Sequence, residues 1–209
     1  MQFNNNIESD RSVIIGAGYY GEVFKSYLTE CGVNVIGYID DTPEYQHTIK
    51  RGLPILGPIS EMKTLKEKYN VNAVYCSISN NVARLSFLRE ARKFGLKTPH
   101  FIHPTAIISP DAEINGTLYL MPGSIIQPYA QIGDGCLLLM NVVVAHHTSI
   151  EEGCFISSSS SIGAKMKIEK YVWIGIGATV MTGVHTLGEN CLIGAGAVVI
   201  SDIPQNAVV

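Results

Sequence analysis

Large aliphatic residues recur at every sixth position in the C-terminal half of this chain. From Ile108 to Val180, thirteen consecutive positions at this spacing hold Ile, Leu or Val, and the register then slips by one residue and resumes at Leu187. If about a quarter of all residues were of these types, thirteen hits in a row would occur with probability on the order of 10⁻⁸. Neither the period of an α-helix nor that of a strand gives this spacing. The period of six predicts a β-solenoid, in which each coil buries its aliphatic residues by stacking on its neighbours.

The fifth residue of each six-residue repeat is usually small or β-branched, and the second is often glycine or acidic. Leu118 and Met166 are the exceptions at the fifth position. We therefore expect a large and a small side chain to alternate into the core, while the residues between them turn corners. The small or β-branched fifth residues are Ala112, Ser124, Ala130, Cys136, Val142, Thr148, Cys154, Ser160, Val172, Ala178 and Val184.

The N-terminal part of the chain shows a different pattern, built around a glycine-rich turn. A short apolar run, Ser12–Ile15, precedes Gly16-Ala-Gly-Tyr-Tyr-Gly21, and a strand predicted at 34–39 ends in Asp40 and Asp41. Strand, glycine-rich turn, helix, strand and acid are the parts of a mononucleotide-binding βαβ unit. The glycines permit a tight turn and close approach of the backbone to a ligand, and the helix start offers N–H groups to an anion. The alternative is a turn with a purely structural role.

Further elements complete a small α/β domain. The first helix should bury one face and stop at Gly32; a second should begin with Ser60 as its N-cap and run to about Tyr69. Residues 73–78 indicate a third strand and residues 81–94 another helix. About 90 residues are too few for a two-half dinucleotide fold, which argues against a dehydrogenase. The predicted inward face of the first helix comprises Val23, Phe24, Tyr27 and Leu28.

The whole chain is thus predicted to comprise a polar tail at 1–10, a Rossmann-like domain at 11–98 and a parallel β-helix at 99–209. The fold class is therefore an α/β domain followed by an all-β domain.

Composition and charge limit the possible partners and locations of the protein. A net charge of −3 gives no reason to expect a nucleic-acid partner. No run approaches the roughly 18 apolar residues needed to span a membrane, and the N-terminus lacks the features of a secretory signal. Five scattered cysteines without a CxxC pair argue against zinc and disulfides and for a reduced, cytoplasmic protein.

Together these motifs resemble a known family. A βαβ unit with an Asp-Asp pair, then Ile102-His-Pro104, then hexads with a central histidine pair are similar to the hexapeptide-repeat sugar O-/N-acyltransferases, notably the bacillosamine- and perosamine-type nucleotide-amino-sugar N-acetyltransferases. The resemblance covers roughly residues 11–203. It implies a left-handed β-helix with three hexads per coil, so that Ile132, Ile150 and Ile168 stack. It also implies a homotrimer with active sites in the clefts between subunits.

The same resemblance implies an activity. The chain would be an acetyl-CoA-dependent N-acetyltransferase, without a metal, acting on the amino group (at C4) of a UDP-, GDP- or dTDP-linked dideoxy sugar for surface glycans. Two alternatives stay open, a sugar O-acetyltransferase of the sialic-acid type and a non-catalytic trimeric scaffold that binds nucleotide sugars. An alcohol is a poorer nucleophile than an amine and would need a stronger base, which favours the amine.

Acyl transfer to an amine needs a base, and histidine suits that role at neutral pH. His146 and His147 alone among six histidines lie in mid-array, at a predicted corner. By the resemblance His146 is the base, but His147 stands where the family usually has an orienting acid. His147 itself, Glu151, Glu152 or a neighbouring subunit are the candidates for that role. The competing interpretation is a polar corner without catalytic function.

Residue-by-residue resemblance also assigns binding positions. Phe155, where relatives often have a second histidine, and the backbone at Ile176 and Gly194 correspond to the coenzyme A site. Relatives usually continue past residue 209 through a Gly-x-Pro-Ala-Lys segment, so we expect either a shortened C-terminus or a less closed cofactor site. Candidates for the cofactor phosphates are Lys165, Lys167 and Lys170. The sugar-nucleotide positions are Gly18, Tyr19 and Tyr20 for the phosphates, Asp40 and Asp41 for the nucleoside, and Ser79.

Overall fold

The computed structural model describes residues 10–209, which divide into two compact units between Pro99 and His100. The polar tail expected at 1–10 lies outside the described residues except for Asp10. The carboxylate of Asp10 is mostly buried and lies 2.9 Å from the Nζ atom of Lys97.

The first unit is built on a five-stranded sheet. Its strands are β1 Ser12–Ile15, β2 Val35–Ile39, β3 Ile49–Lys50, β4 Leu53–Gly57 and β5 Ala73–Cys76. They are arranged in the order β3-β4-β2-β1-β5, and all pairs are parallel except the antiparallel pair of β3 and β4. The strand β1, which lies between β2 and β5, is buried along its whole length, as its apolar sequence predicts for a strand covered on both faces.

The helices are α1 Tyr19–Glu30, α2 Met62–Tyr69 and α3 Asn81–Lys93, with 3-10 turns at Pro43–Tyr45 and Ile59–Glu61. On α1, Phe24 and Leu28 are buried as predicted, but Val23 is 38% exposed, so its assignment to the inward face is wrong. Ser60 as an N-cap is also wrong, because α2 begins two residues later. The turn before α2 is instead capped from another segment: Asp41 Oδ1 accepts hydrogen bonds from the backbone N–H groups of Ile59 and Ser60.

The second unit confirms the predicted left-handed parallel β-helix, with three sheets that form its three faces. The first face consists of Phe101–Ile102, Leu118–Leu120, Cys136–Leu138, Phe155–Ile156, Trp173–Ile174 and Leu192–Ile193. The second consists of Ile107–Ile108, Ile125–Ile126, Val143–Val144, Ser161–Ile162, Thr179–Val180 and Val198–Val199. The third consists of Glu113–Ile114, Gln131–Ile132, Ser149–Ile150, Lys167–Ile168 and Thr186–Leu187.

Strand register confirms that residues 18 apart stack. Ile132 pairs with Ile150, and Ile150 pairs with Ile168. Most of the large aliphatic residues and of the apolar fifth residues of the hexads share one buried cluster, in which Cys136 and Cys154 are fully inaccessible. The fifth residues with hydroxyl groups, Ser124, Thr148 and Ser160, are also fully buried. The alternation of large and small side chains therefore fills the interior of the coil, as predicted.

The slip in the repeat is absorbed at a corner. One extra residue lies between the strands that end at Val180 and Leu187, next to Gly183, which has a φ of 106°. Beyond it, Leu187 pairs with Ile168 at a spacing of 19 residues, and Ile193 pairs with Ile174 at the same spacing. The insertion lengthens one turn and leaves the stacking of the coils intact.

Candidate functional site

A cleft of about 390 Å³ opens in the first unit where β1, β2 and β5 end. Ligands of open parallel sheets bind outside the carboxyl ends of the strands. The cleft contains five of the six positions expected for the sugar nucleotide, Gly18, Tyr19, Tyr20, Asp40 and Ser79. Its other lining residues are Gly16, Gly21, Thr42, Tyr45, Ser77, Ile78 and Asn80.

Each glycine of the turn has a separate steric role. Gly16 has a φ of 95°, which side chains rarely adopt, and a Cβ atom on Gly21 would collide with the carbonyl oxygen of Gly16. A Cβ atom on Gly18 would meet nothing within 4 Å. Gly18 is also the N-cap of α1 and lines the cleft, so the cleft lies at a helix N-terminus, which favours an anion.

Asp40 is buried at the edge of this cleft and is held as a carboxylate. Its oxygens accept hydrogen bonds from the backbone N–H groups of Ala17, at 2.6 Å, and Thr42, at 2.8 Å. Burial alone would raise the pKa of Asp40, but the bonds from Thr42 and Ala17, with Lys50 nearby, outweigh it and lower the pKa. Asp40 thereby ties the glycine-rich turn to the end of β2. Asp41 does not line the cleft, because its carboxylate caps the turn at Ile59.

A buried arginine supports the opposite wall of the cleft, and sequence reasoning missed it. The guanidinium of Arg84, on α3, is inaccessible to solvent and donates to the carbonyl oxygens of Ile78 and Ser79 and to Oδ1 of Asn81. The side chain of Asn80 caps α3 by accepting from Ala83 N–H. Since a buried charge is costly unless hydrogen-bonded, this arrangement fixes the loop that carries Ser79.

In the second unit, His146 and His147 lie at the corner between the second and third faces, as predicted. Their Nδ1 atoms are 3.0 Å apart. The backbone N–H of His146 donates to Oε1 of Gln127, and the ring of Tyr129 packs on that of His147 with a centroid distance of 4.8 Å. Gln127 and Tyr129 come from the preceding coil, 19 residues before His146 and 18 residues before His147, so the 18-residue stacking pointed to this segment of the sequence.

The nearest acids in the sequence are engaged elsewhere. Oε1 of Glu151 lies 3.0 Å from Lys167 Nζ, and Oε1 of Glu152 lies 3.1 Å from Lys170 Nζ. All three lysines considered for the cofactor phosphates are exposed, but these two ion pairs involve Lys167 and Lys170, which leaves Lys165 as the candidate outside them.

The residues expected at the coenzyme A site separate into two environments. Ile176, which is 57% exposed, and Gly194 lie in successive coils at the corner between the first and second faces. Phe155 is 1% exposed and stacks on Trp173 at a centroid distance of 4.0 Å. A ring buried in this way offers a cofactor no surface. The corner with Ile176 is not the corner with His146; the second face separates them.

Residues 10–209 contain neither a cluster of metal ligands nor a membrane-spanning helix. No three His, Cys, Asp or Glu side chains of this part cluster so as to hold a metal ion. No helix within it has the length and apolar character needed to cross a membrane.

Comparison with known proteins agrees with both units. The sequence profile of the PglD N-terminal domain matches residues 11–91, and that of the bacterial transferase hexapeptide (six repeats) matches residues 129–164. The chain belongs to the hexapeptide-repeat acyltransferases with a PglD-type N-terminal domain. The resemblance stated from the sequence is thereby confirmed.

Two solved structures of hexapeptide-repeat acyltransferases match almost the whole chain. PerB from Caulobacter crescentus, in complex with CoA and GDP-perosamine, is 28% identical with a TM-score of 0.87, over 96% of this chain and 93% of that one. The acetyltransferase domain of PglB from Neisseria gonorrhoeae is 26% identical with a TM-score of 0.83, over 95% of both chains.

Among curated proteins the matches are shorter. A putative acetyltransferase from Schizosaccharomyces pombe is 50% identical over 50 residues, and a galactoside O-acetyltransferase from Lactococcus lactis is 50% identical over 44 residues. These segments span 24% and 21% of the relatives' own lengths.

Proposed function

We propose that this protein is an acetyl-CoA-dependent N-acetyltransferase acting on the amino group of a nucleotide-linked dideoxy sugar. The observation that carries the proposal is the near full-length similarity to a GDP-perosamine N-acetyltransferase with both CoA and GDP-perosamine bound. The cleft at the glycine-rich turn and the histidine pair on the β-helix support the same conclusion from the chain's own residues.

The first unit would bind the nucleotide part of the substrate. The N-terminus of α1 at the cleft suits a phosphate, and Gly18 permits its close approach. Tyr19 is 90% exposed beside this turn, where its ring is accessible to a planar group. The carboxylate oxygens of Asp40 accept hydrogen bonds from Ala17 and Thr42, so we assign Asp40 to holding the turn in shape and not to direct contact with the nucleoside.

The second unit would perform the transfer. Acetyl-CoA, when bound, supplies an acyl group already activated as a thioester. Ile176, the backbone at Gly194 and the exposed cation of Lys165 fit an apolar chain with phosphates, which supports their assignment to the cofactor. His146 would accept the proton that the sugar amine releases on attack and return it to the departing thiolate, so no covalent enzyme intermediate forms.

We propose that three copies of the chain assemble, as the family resemblance implies. The candidate base lies at a different corner of one β-helix from the cofactor candidates Ile176 and Gly194, so a site containing all three needs a second subunit. The second face, which lies between those corners, exposes Ile107 and Val198, 60% and 64% accessible. Exposed apolar residues on one face of a sheet are typical of an association surface. Sedimentation should give three times the mass of one chain.

The activity is tested by incubating the protein with acetyl-CoA and pairs of sugar nucleotides that differ only in an amino or hydroxyl acceptor. We expect free thiol release and an acetylated product with the amino sugar alone. His146→Asn should lower kcat by about 10²- to 10⁴-fold, the usual contribution of a general base, without weakening binding of coenzyme A.

His47→Asn is the control, because it makes the same chemical change at an exposed histidine that does not line the cleft. It should retain the full rate. Turnover of His146→Asn close to that of the control would refute the assignment of the base. Preferential acetylation of the hydroxy sugar would establish an O-acetyltransferase, and no binding of coenzyme A would favour a scaffold.

A further inference from the structure

The rings of His146 and His147, at the corner between the second and third faces, are joined by a hydrogen bond. The Nδ1 atoms of His146 and His147 are 3.0 Å apart, and each ring nitrogen is a donor only when it carries a proton. The bond therefore needs one protonated and one unprotonated Nδ1 atom. Because the bond uses both Nδ1 atoms, the Nε2 atom of each ring is left for other partners.

We propose that His147 is the positioning residue of His146 and acts where relatives are expected to have a carboxylate; this inference rests on the proposed acetyl transfer. In the competent state the Nδ1–H of His146 donates to the unprotonated Nδ1 of His147. The Nε2 atom of His146 then presents its lone pair to the substrate amine. His147 carries its own proton on Nε2.

Each proton that moves in the proposed reaction has a defined donor and acceptor. As the amine nitrogen bonds to the thioester carbonyl carbon, its proton passes to Nε2 of His146, which becomes an imidazolium. The C–S bond breaks, and the same proton passes from Nε2 to the thiolate. The Nδ1–H of His146 stays on His146 throughout, hydrogen-bonded to His147, which neither gains nor loses a proton.

The surroundings hold His147 in this position. Its backbone has a φ of 59°, a left-handed conformation that costs a non-glycine residue about 1 kcal/mol or more. The backbone N–H of His147 donates to the carbonyl of Pro128, and the ring of Tyr129 lies against one side of its ring. The same left-handed conformation recurs at this position of other hexads, as at Tyr129, Ser159 and Lys165, so the regular turn of the coil sets where the ring of His147 projects.

Within residues 10–209, the contacts that the neighbouring coils make with the pair come from groups other than carboxylates. The preceding coil contributes Gln127 and Tyr129, and the following coil contributes Lys165, whose backbone N–H donates to the carbonyl of His146. The unprotonated Nδ1 atom of His147 can accept the Nδ1–H of His146 as a carboxylate would, but a neutral imidazole adds no negative charge to stabilise the imidazolium. The pair therefore suits an amine, which loses its proton easily during attack, better than a hydroxyl.

The pairing is tested directly by nitrogen-15 NMR of the full-length protein with labelled histidine. In the wild type at neutral pH, His146 should have its proton on Nδ1, whereas a free imidazole in water prefers Nε2. His147→Gly keeps the left-handed backbone and removes the ring, so the proton of His146 should move to Nε2. His147→Asp also tolerates this backbone and restores an acceptor, so the proton should return to Nδ1.

Kinetics then connect the tautomer to the rate. His147→Gly should lower kcat by between about 10-fold and about 10⁴-fold, the upper figure being the cost of a wrong histidine tautomer in a serine protease triad. KM for both substrates should stay within a factor of about two, and His147→Asp should recover most of kcat. Thermal unfolding checks that both variants fold, and glycine is expected to be tolerated at this φ.

A wild-type His146 protonated mainly on Nε2 would overturn the proposal. So would a His147→Gly variant that keeps the Nδ1 proton and the full rate, because another partner, such as an acid from a neighbouring subunit, would then orient the base. If no amino sugar is acetylated by any form while the tautomer changes as expected, the pairing stands and the proposed activity fails. The spectroscopic and kinetic results thus separate the two ideas.

Discussion

Single side chains decide how each site is held together, and Asp40 is the clearest case. The sequence places it after the second strand, where family resemblance suggests contact with a nucleoside. The structure shows a buried carboxylate that accepts from Ala17 and Thr42 and so joins the glycine-rich turn to β2. Asp41, the next residue, caps a different turn. Asp40 and Asp41 therefore stabilise two different segments, although they are adjacent in the sequence, and the dipeptide alone does not indicate this difference.

Asp40→Asn should destabilise the protein by about 1–3 kcal/mol at pH 7, because an amide cannot accept both N–H bonds with its single oxygen. The lowered pKa of Asp40 means that its contribution is fully present above the pKa of an unfolded aspartate, near 3.9, and is lost as the pH falls through the lower folded value. Urea denaturation of wild type and variant at several pH values should give a difference that shrinks below about pH 4. A difference that grows on acidification would contradict this role.

At the scale of elements, the glycine-rich turn joins β1 to α1 through close backbone contact. The carbonyl of Gly16 occupies the space that a side chain on Gly21 would need, so strand and helix approach closely at this point. Gly18, in contrast, has open space towards the cleft. The same motif therefore contains one glycine required for packing and one available for a ligand.

Gly21→Ala should disrupt the first unit, with a loss of several kcal/mol in the free energy of unfolding, because its Cβ atom meets backbone that cannot move without separating β1 from α1. Gly18→Ala is the matched comparison. It should cost no more than about 1 kcal/mol, because its Cβ atom meets no neighbour and alanine is only a poorer N-cap than glycine, while weakening binding of the sugar nucleotide. Calorimetric titration and thermal unfolding of both variants measure the two effects; equal stability of the two would exclude the packing role of Gly21.

At the scale of the molecule, the β-helix is stabilised by contacts between successive coils. Each buried aliphatic residue touches its equivalents in the coils before and after it, as in the column of Ile132, Ile150 and Ile168. The stability of such an array is close to a sum of nearest-neighbour terms. A residue in a middle coil should therefore contribute more than one in the first coil, which has a single neighbour.

Ile150→Ala, in a middle coil at 1% exposure, should cost about 2–5 kcal/mol through the cavity it leaves. Ile108→Ala, in the first coil and only partly buried, should cost clearly less. Guanidinium unfolding at one fixed protein concentration compares them without interference from assembly. Equal losses at both positions would argue against a sum of neighbour terms.

The sequence alone determined the β-helix, the stacking of residues 18 apart, the corner position of the histidines and the β1-turn-α1 layout. These features rest on contacts at fixed sequence separation, or between adjacent elements, so periodicity reports them directly. The one-residue insertion after Val180 was also visible in the sequence, because the six-residue period resumes after it at Leu187.

The tertiary structure alone decided the exposure of Val23, the cap from Asp41 to Ile59, and the hydrogen bond between His146 and His147. It also decided that α3 supports the cleft through a buried arginine. These features depend on rotamers and on contacts between segments whose separation follows no period. A pattern of residue types contains no information about such geometry, because the same side chains can turn towards solvent or towards one another at equal sequence spacing.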